Sequence, residues 1–138
     1  IYAMINIDTC GFGDMMLIGP EKNLGAMKEK KIISEGLLDK EYIEIIKRTP
    51  GSDDRSFEAE NITNISIGVV TKGDVEIIQK IIKLELENKI PTKDLIPNPP
   101  EFMSTVHNGN RDCIEIVEES SMKIVLDFII NILEELRF

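Results

Sequence analysis

Apolar positions run almost unbroken through Ile1-Tyr2-Ala3-Met4-Ile5-Asn6-Ile7 and stop at Asp8, before the small turn Thr9-Cys10-Gly11. A short Ile-rich run closed by glycine predicts a strand buried on both faces. Open α/β sheets bind ligands outside the carboxyl ends of their strands, which makes Asp8 the first candidate for a site. Its competing role is an Asx-type bond to Cys10 or Gly11 that caps the turn.

A second apolar run, Met15-Met16-Leu17-Ile18, is closed by the turn signal Gly19-Pro20, and Phe12-Gly13-Asp14 predicts a hairpin-like connection between the two runs. Residues 21–31 are rich in Lys and Glu with Leu24 and Met27 three apart, an exposed amphipathic helix that Gly36 later interrupts. Asp39 reads as the cap of a helix over residues 40–48, with Tyr42, Ile43, Ile45 and Ile46 as its apolar side. Lys47 and Arg48 suit the negative end of that helix, and Pro50-Gly51 stops it.

Gly51-Ser52-Asp53-Asp54 predicts a loop entering a short helix at Asp53 or Asp54. The β-branched run over 62–70 predicts a second core strand. Residues 74–88 predict a helix with Val75, Ile77, Ile78, Ile81, Ile82 and Leu86 inward. Pro91, Pro97, Pro99 and Pro100 forbid regular helix or inner strand between 91 and 100. The apolar stretch 102–106 then leads into a polar turn over 107–112 that holds the sole histidine, His107. Ser120 or Ser121 caps a final, largely buried helix reaching about Arg137, with Met122, Val125, Leu126, Ile129, Ile132, Leu133 and Leu136 inside. Alternating strand and helix patterns make the class α/β. The expected core includes Ile5, Ile7, Ile43, Ile46, Ile65, Ile67, Val69, Ile78, Ile82, Leu126, Ile129 and Leu133.

Composition narrows function more than fold. A length of 138 residues predicts one domain with a real core. The formal net charge of −9 argues against nucleic acid, whose phosphates need Lys and Arg, and suits a cationic substrate end or a metal. Two cysteines, Cys10 and Cys113, make no disulfide framework. No apolar run approaches the roughly 20 residues of a membrane span, so no membrane partner is expected. These features favour a soluble chain, in the cytoplasm rather than secreted. A chain that begins at Ile1, inside a strand pattern, reads as the C-terminal portion of a longer protein.

Three motifs in order change the picture. The strand end Ala3-Met4-Ile5-Asn6-Ile7-Asp8-x-x-Gly11 comes first, then Gly51-Ser52-Asp53-Asp54-Arg55-Ser56-Phe57. A β-branched strand follows, then Val106-His107-Asn108 and a final helix. The series resembles the C-terminal half of the co-catalytic di-zinc aminopeptidase family, which also contains glutamate carboxypeptidases and glutaminyl cyclases. Members carry an Asn-hydrophobic-Asp strand end, a Ser-Asp-His-x-x-Phe loop and a His-Thr turn before the last helix. The resemblance covers nearly the whole chain, which departs from the pattern at Asp54 (usually His), at Asn108 (usually Thr) and at Asp112, one residue late.

The resemblance implies a three-layer α/β/α sandwich, here its C-terminal portion, with a mixed, mostly parallel sheet open at one edge. It implies two zinc ions in the full-length parent, with Asp8 a ligand to one and His107 to the other, both donors that suit zinc. Asn6, Asp53, Arg55 and Asn108 would orient ligands or form the rim. The family's remaining ligands and its glutamate base lie upstream of the matched segment, so no catalytic base is expected in this chain. The implied activity is removal of N-terminal residues from a peptide substrate by the parent, the fragment itself being inactive. A non-catalytic binding module with this fold, or a related zinc carboxypeptidase or deacylase, are the alternatives. The segment over 72–105 is longer than the family's usual connection and is expected to be a lid, a dimerisation element or a plain surface insertion. A homo-oligomer through it or through the open sheet edge is the expected partner besides peptide.

Overall fold

The structure is a computed structural model that describes residues 2–49, 53–106 and 109–136. Four strands form one sheet: β1 (Met4–Ile7), β2 (Met15–Gly19), β3 (Ile43–Ile45) and β4 (Asn64–Val70). Their spatial order is β1-β4-β2-β3. β1 runs parallel to β4, with Ile5 opposite Ile65 and Ile7 opposite Ile67, and β3 runs parallel to β2. The central pair β2 and β4 is antiparallel, so the sheet is mixed and mostly parallel. The class is therefore α/β.

Strand pairing overturns the hairpin-like link expected at Phe12-Gly13-Asp14. β4 lies between β1 and β2, and Gly13 instead turns the chain against β4. Gly13 has φ of +111°, and a Cβ there would stand 2.2 Å from the Val70 carbonyl carbon, so both backbone shape and space demand glycine. As an edge strand, β1 is half-buried rather than covered on both faces, and Ile7, expected in the core, is 46% exposed.

Helices are α1 (Glu21–Glu29), α2 (Glu35–Leu38), α3 (Asp54–Ala59), α4 (Lys72–Leu86) and α5 (Glu119–Glu135). Alternation along β4 divides the core. Ile65, Ile67 and Val69 face one side, with Met16, Ile18, Leu24, Met27, Ile33 and Phe128. Val70 faces the other, with Leu17, Ile46, Val75, Ile78 and Ile82 of α4. Residues 72–86 of the longer connection thus supply much of that second apolar cluster.

The helix expected over 40–48 is absent, and β3 occupies its centre. Tyr42, Ile43, Ile45 and Ile46 fit either period, and pairing with the free side of β2 decides the outcome through Ile43 opposite Met16 and Ile45 opposite Ile18. Asp39 accordingly ends α2 instead of starting a helix, and Ser34 is the residue that caps α2, its hydroxyl accepting the Leu37 N–H at 3.3 Å. Gly36 lies inside α2.

α5 begins at Glu119, and neither Ser120 nor Ser121 caps it. Ser121 lies within its first turn, fully buried, and its hydroxyl donates to the Gly13 carbonyl. Val125, Phe128 and Ile132 form the buried stripe of α5. Leu126 and Leu133, expected in the core, are 57% and 59% exposed on the opposite side. The Pro-rich stretch leads into a π-helical turn, Phe102–Val106, as its composition allows.

Candidate functional site

Asp8 directly follows β1, and its backbone N–H donates to the Ile67 carbonyl at 2.9 Å, extending the β1–β4 ladder by one residue. Thr9 then leaves the strand with φ of 50°, a left-handed shape that β-branched residues avoid. Its carbonyl accepts the Val69 N–H at 3.0 Å, which fixes the strained turn on β4. Such strain persists where surrounding contacts over-determine it, often beside a site.

Gly68 of β4 permits this close approach. A Cβ on Gly68 would lie 3.0 Å from both the Asp8 carbonyl oxygen and the Thr9 hydroxyl. Asn6 and Asp8 alternate onto the α4 side of the sheet, where the Asn6 amide donates to the Ser66 hydroxyl at 3.3 Å. A cavity of ≈ 100 Å³ lies on this face, bounded by Asp8 and Thr9 at one end and Thr49 at the other. Leu17, Val70, Ile78 and Phe102 make its apolar wall.

A second cavity, of ≈ 270 Å³, opens on the other side of Asp8. Phe102 borders both spaces, and Val106, Asp112, Cys113 and Val117 close the second. Arg111 pairs with Glu101 and lies over the Phe12 ring, 5.5 Å from its centre, so it braces this rim. The Glu118 N–H donates to the Gly11 carbonyl at 2.8 Å, tying the segment before α5 to the turn after Asp8. Within that segment the Glu115 carboxyl is held below its ordinary pKa, first by a backbone N–H bond and then by the Cys113 thiol.

Among the residues singled out from sequence, Asp8 and Asn6 meet in one cavity. Asp53 is exposed at the start of α3. Arg55 lines a separate cleft together with Asp54, beyond Thr49. His107 and Asn108 lie outside the described residues. Among the described residues, no three His, Cys, Asp or Glu side chains stand together as metal ligands. Zinc takes three or four protein ligands, so the described residues do not by themselves make a zinc site, and Asp8 is the one candidate ligand from the sequence that lies among them.

Sequence reasoning missed Thr49, Ser66, Gly68 and Phe102. Ser66 carried a readable signal, being a polar residue inside a β-branched run and hence a strand position facing something other than packed apolar core. Phe102 carried none, because its place depends on how residues 87–101 return to the sheet. Compared with known proteins, the chain matches no family model, no curated protein and no solved structure.

Proposed function

We propose that the chain supplies the Asp8 edge of a zinc-dependent exopeptidase site, of the aminopeptidase kind, within a longer parent protein. The observation that carries the reading is the position of Asp8, at the carboxyl end of the parallel β1–β4 pair and at the mouth of an apolar cavity. Asp8 and His107 would hold metal, which when bound acts as a Lewis acid toward a peptide carbonyl. Leu17, Val70, Ile78 and Phe102 would receive a small apolar side chain of the substrate and exclude water from it. The Asn6–Ser66 pair would orient the polar peptide backbone beside that side chain.

Zinc competition titration of the longer parent, as wild type and as Asp8→Asn, tests the reading. Loss of about tenfold or more in zinc affinity is expected, the scale of removing a metal-site contact. Equal affinity in the two proteins overturns it. Turnover of aminoacyl anilides is expected from the longer parent and not from these 138 residues, because the family's base lies upstream. A non-catalytic binding module is the second reading. The mainly apolar wall and the Asn6–Ser66 bond, which satisfies polar groups without a ligand, favour it.

A further inference from the structure

At the end of the sheet away from Asp8, a cleft of ≈ 560 Å³ lies between the start of α1, the residues after β3, and α3. Lys22, Lys47, Arg48 and Arg55 line it, with Asp54 and Glu58. Four cationic side chains against two carboxylates leave its walls at a net +2, in a chain whose own net charge is −9. Lys22 is committed to Glu58, and Arg48 reaches Glu85 only at 3.9 Å. Lys47 and Arg55 have no ion-pair partner among the described residues. Cations gathered without partners in an acidic protein make a local positive field that attracts and holds an anion.

Behind them stands an unusual carboxylate. Asp54 is 4% exposed, and its Oδ2 accepts the Thr49 hydroxyl at 2.7 Å. Its Oδ1 has no hydrogen-bond partner among the described residues. A buried acceptor left unmade costs on the order of 1–3 kcal/mol, so a donor arriving from a ligand would be favourable there. A bare anion satisfies the cations but meets repulsion from Asp54 and brings its Oδ1 no donor. A ligand that turns an anion outward to Lys47, Arg48 and Arg55 and a hydroxyl inward to Asp54 uses every group present.

We propose that this cleft binds a phosphate monoester of a small hydroxylated molecule. The phosphate's two negative charges match the net +2 of the walls, and Arg48 and Arg55 offer the paired N–H groups that phosphate oxygens accept. Pro20, Ala59 and Leu86 give the carbon body an apolar side to lie against. The cleft volume falls within the range of about 300–1,000 Å³ typical of small-ligand sites. The assignment is independent of zinc and of Asp8, and stands or falls without them.

Calorimetric titration with glycerol 3-phosphate, inorganic phosphate and glycerol separates the components. Glycerol 3-phosphate is expected to bind saturably and more tightly than inorganic phosphate, with glycerol alone silent. Lys47→Gln with Arg55→Gln is expected to weaken binding by about tenfold or more, as loss of charge-assisted bonds does. Lys93→Gln, outside the cleft, is expected to leave it unchanged. Asp54→Asn keeps an acceptor for Thr49 and is expected to erase the preference for glycerol phosphate over phosphate. Four outcomes overturn the assignment: no saturation at millimolar ligand, equal binding by the Lys47/Arg55 variant, equal or tighter binding of inorganic phosphate, or complete competition by chloride at matched ionic strength.

Discussion

Asp74, in the first turn of α4, accepts the backbone N–H groups of Glu101 at 2.6 Å and Phe102 at 3.2 Å. The carboxylate is 3% exposed, so these two donors replace the water it gave up on folding. One acidic side chain thus fixes where the Phe102 ring stands between the two cavities beside Asp8.

Asp74→Ala removes both acceptor oxygens and leaves two N–H groups without a partner. Two charge-assisted bonds predict a loss of about 2–4 kcal/mol in urea unfolding. Asp74→Asn, which keeps one acceptor, is expected to lose about half as much. A loss below about 0.5 kcal/mol for the alanine variant, the scale of an ordinary surface change, would show that the anchor is elsewhere.

Thr9 and Gly68 are expected to show coupled effects. Thr9→Gly removes a β-branched residue from φ of 50° and is predicted to stabilise by up to about 1 kcal/mol. Gly68→Ala places a methyl 3.0 Å from the Thr9 hydroxyl and the Asp8 carbonyl, predicting a cost of about 1–3 kcal/mol. With Thr9→Gly in place one of those two contacts disappears, so the double variant should cost less than the sum of the singles. Additivity within about 0.3 kcal/mol in a double-mutant cycle would count against the contact.

Phe128 and Leu133 share α5 but not its environment. Phe128 is 2% exposed, and Phe128→Ala predicts a loss of about 3–5 kcal/mol. Leu133 is 59% exposed, and Leu133→Ala predicts a change within about 0.5 kcal/mol. Chemical denaturation of the two variants measures both.

Glu115, in the segment before α5, provides a pH-dependent readout. Its folded pKa is depressed, first by a backbone N–H bond and then by the Cys113 thiol. The stabilisation it gives is therefore present above the unfolded carboxylate pKa and lost as pH falls through the lower folded value. Cys113→Ala removes the second cause, so the Glu115 midpoint in an NMR titration is expected to rise toward the ordinary carboxylate value. An unchanged midpoint would assign the whole depression to the backbone bond.

The long periodic segments were legible. β4 and α4 fall close to the predicted ranges because a β-branched run and a helical repeat over fifteen residues leave little ambiguity. β3 was not, because its three residues carry less information than the neighbouring strand that captures them. The α5 apolar pattern is wide enough to suggest burial all round, yet only the stripe through Val125, Phe128 and Ile132 meets the sheet.

The candidate site divides the same way. Asp8 was readable as a strand end, and Asn6 two residues before it shares its face. Asp53 and Arg55 could not be placed, because chain order does not reveal to which end of the sheet a loop returns. β3 runs antiparallel in space to β1, through the reversed β2–β4 pair, and so delivers α3 to the far end.

That reversal gives one small sheet two opposite carboxyl edges, one at Asp8 and one at Lys47, Arg48 and Thr49. If the two proposed sites are both occupied, their ligands sit at opposite ends of the sheet and need not compete for space. Each adds its own logarithmic term to the free energy of unfolding of the same four strands. Melting-temperature shifts from saturating both ends would therefore accumulate, and a two-ligand screen would read them as separate increments on one transition.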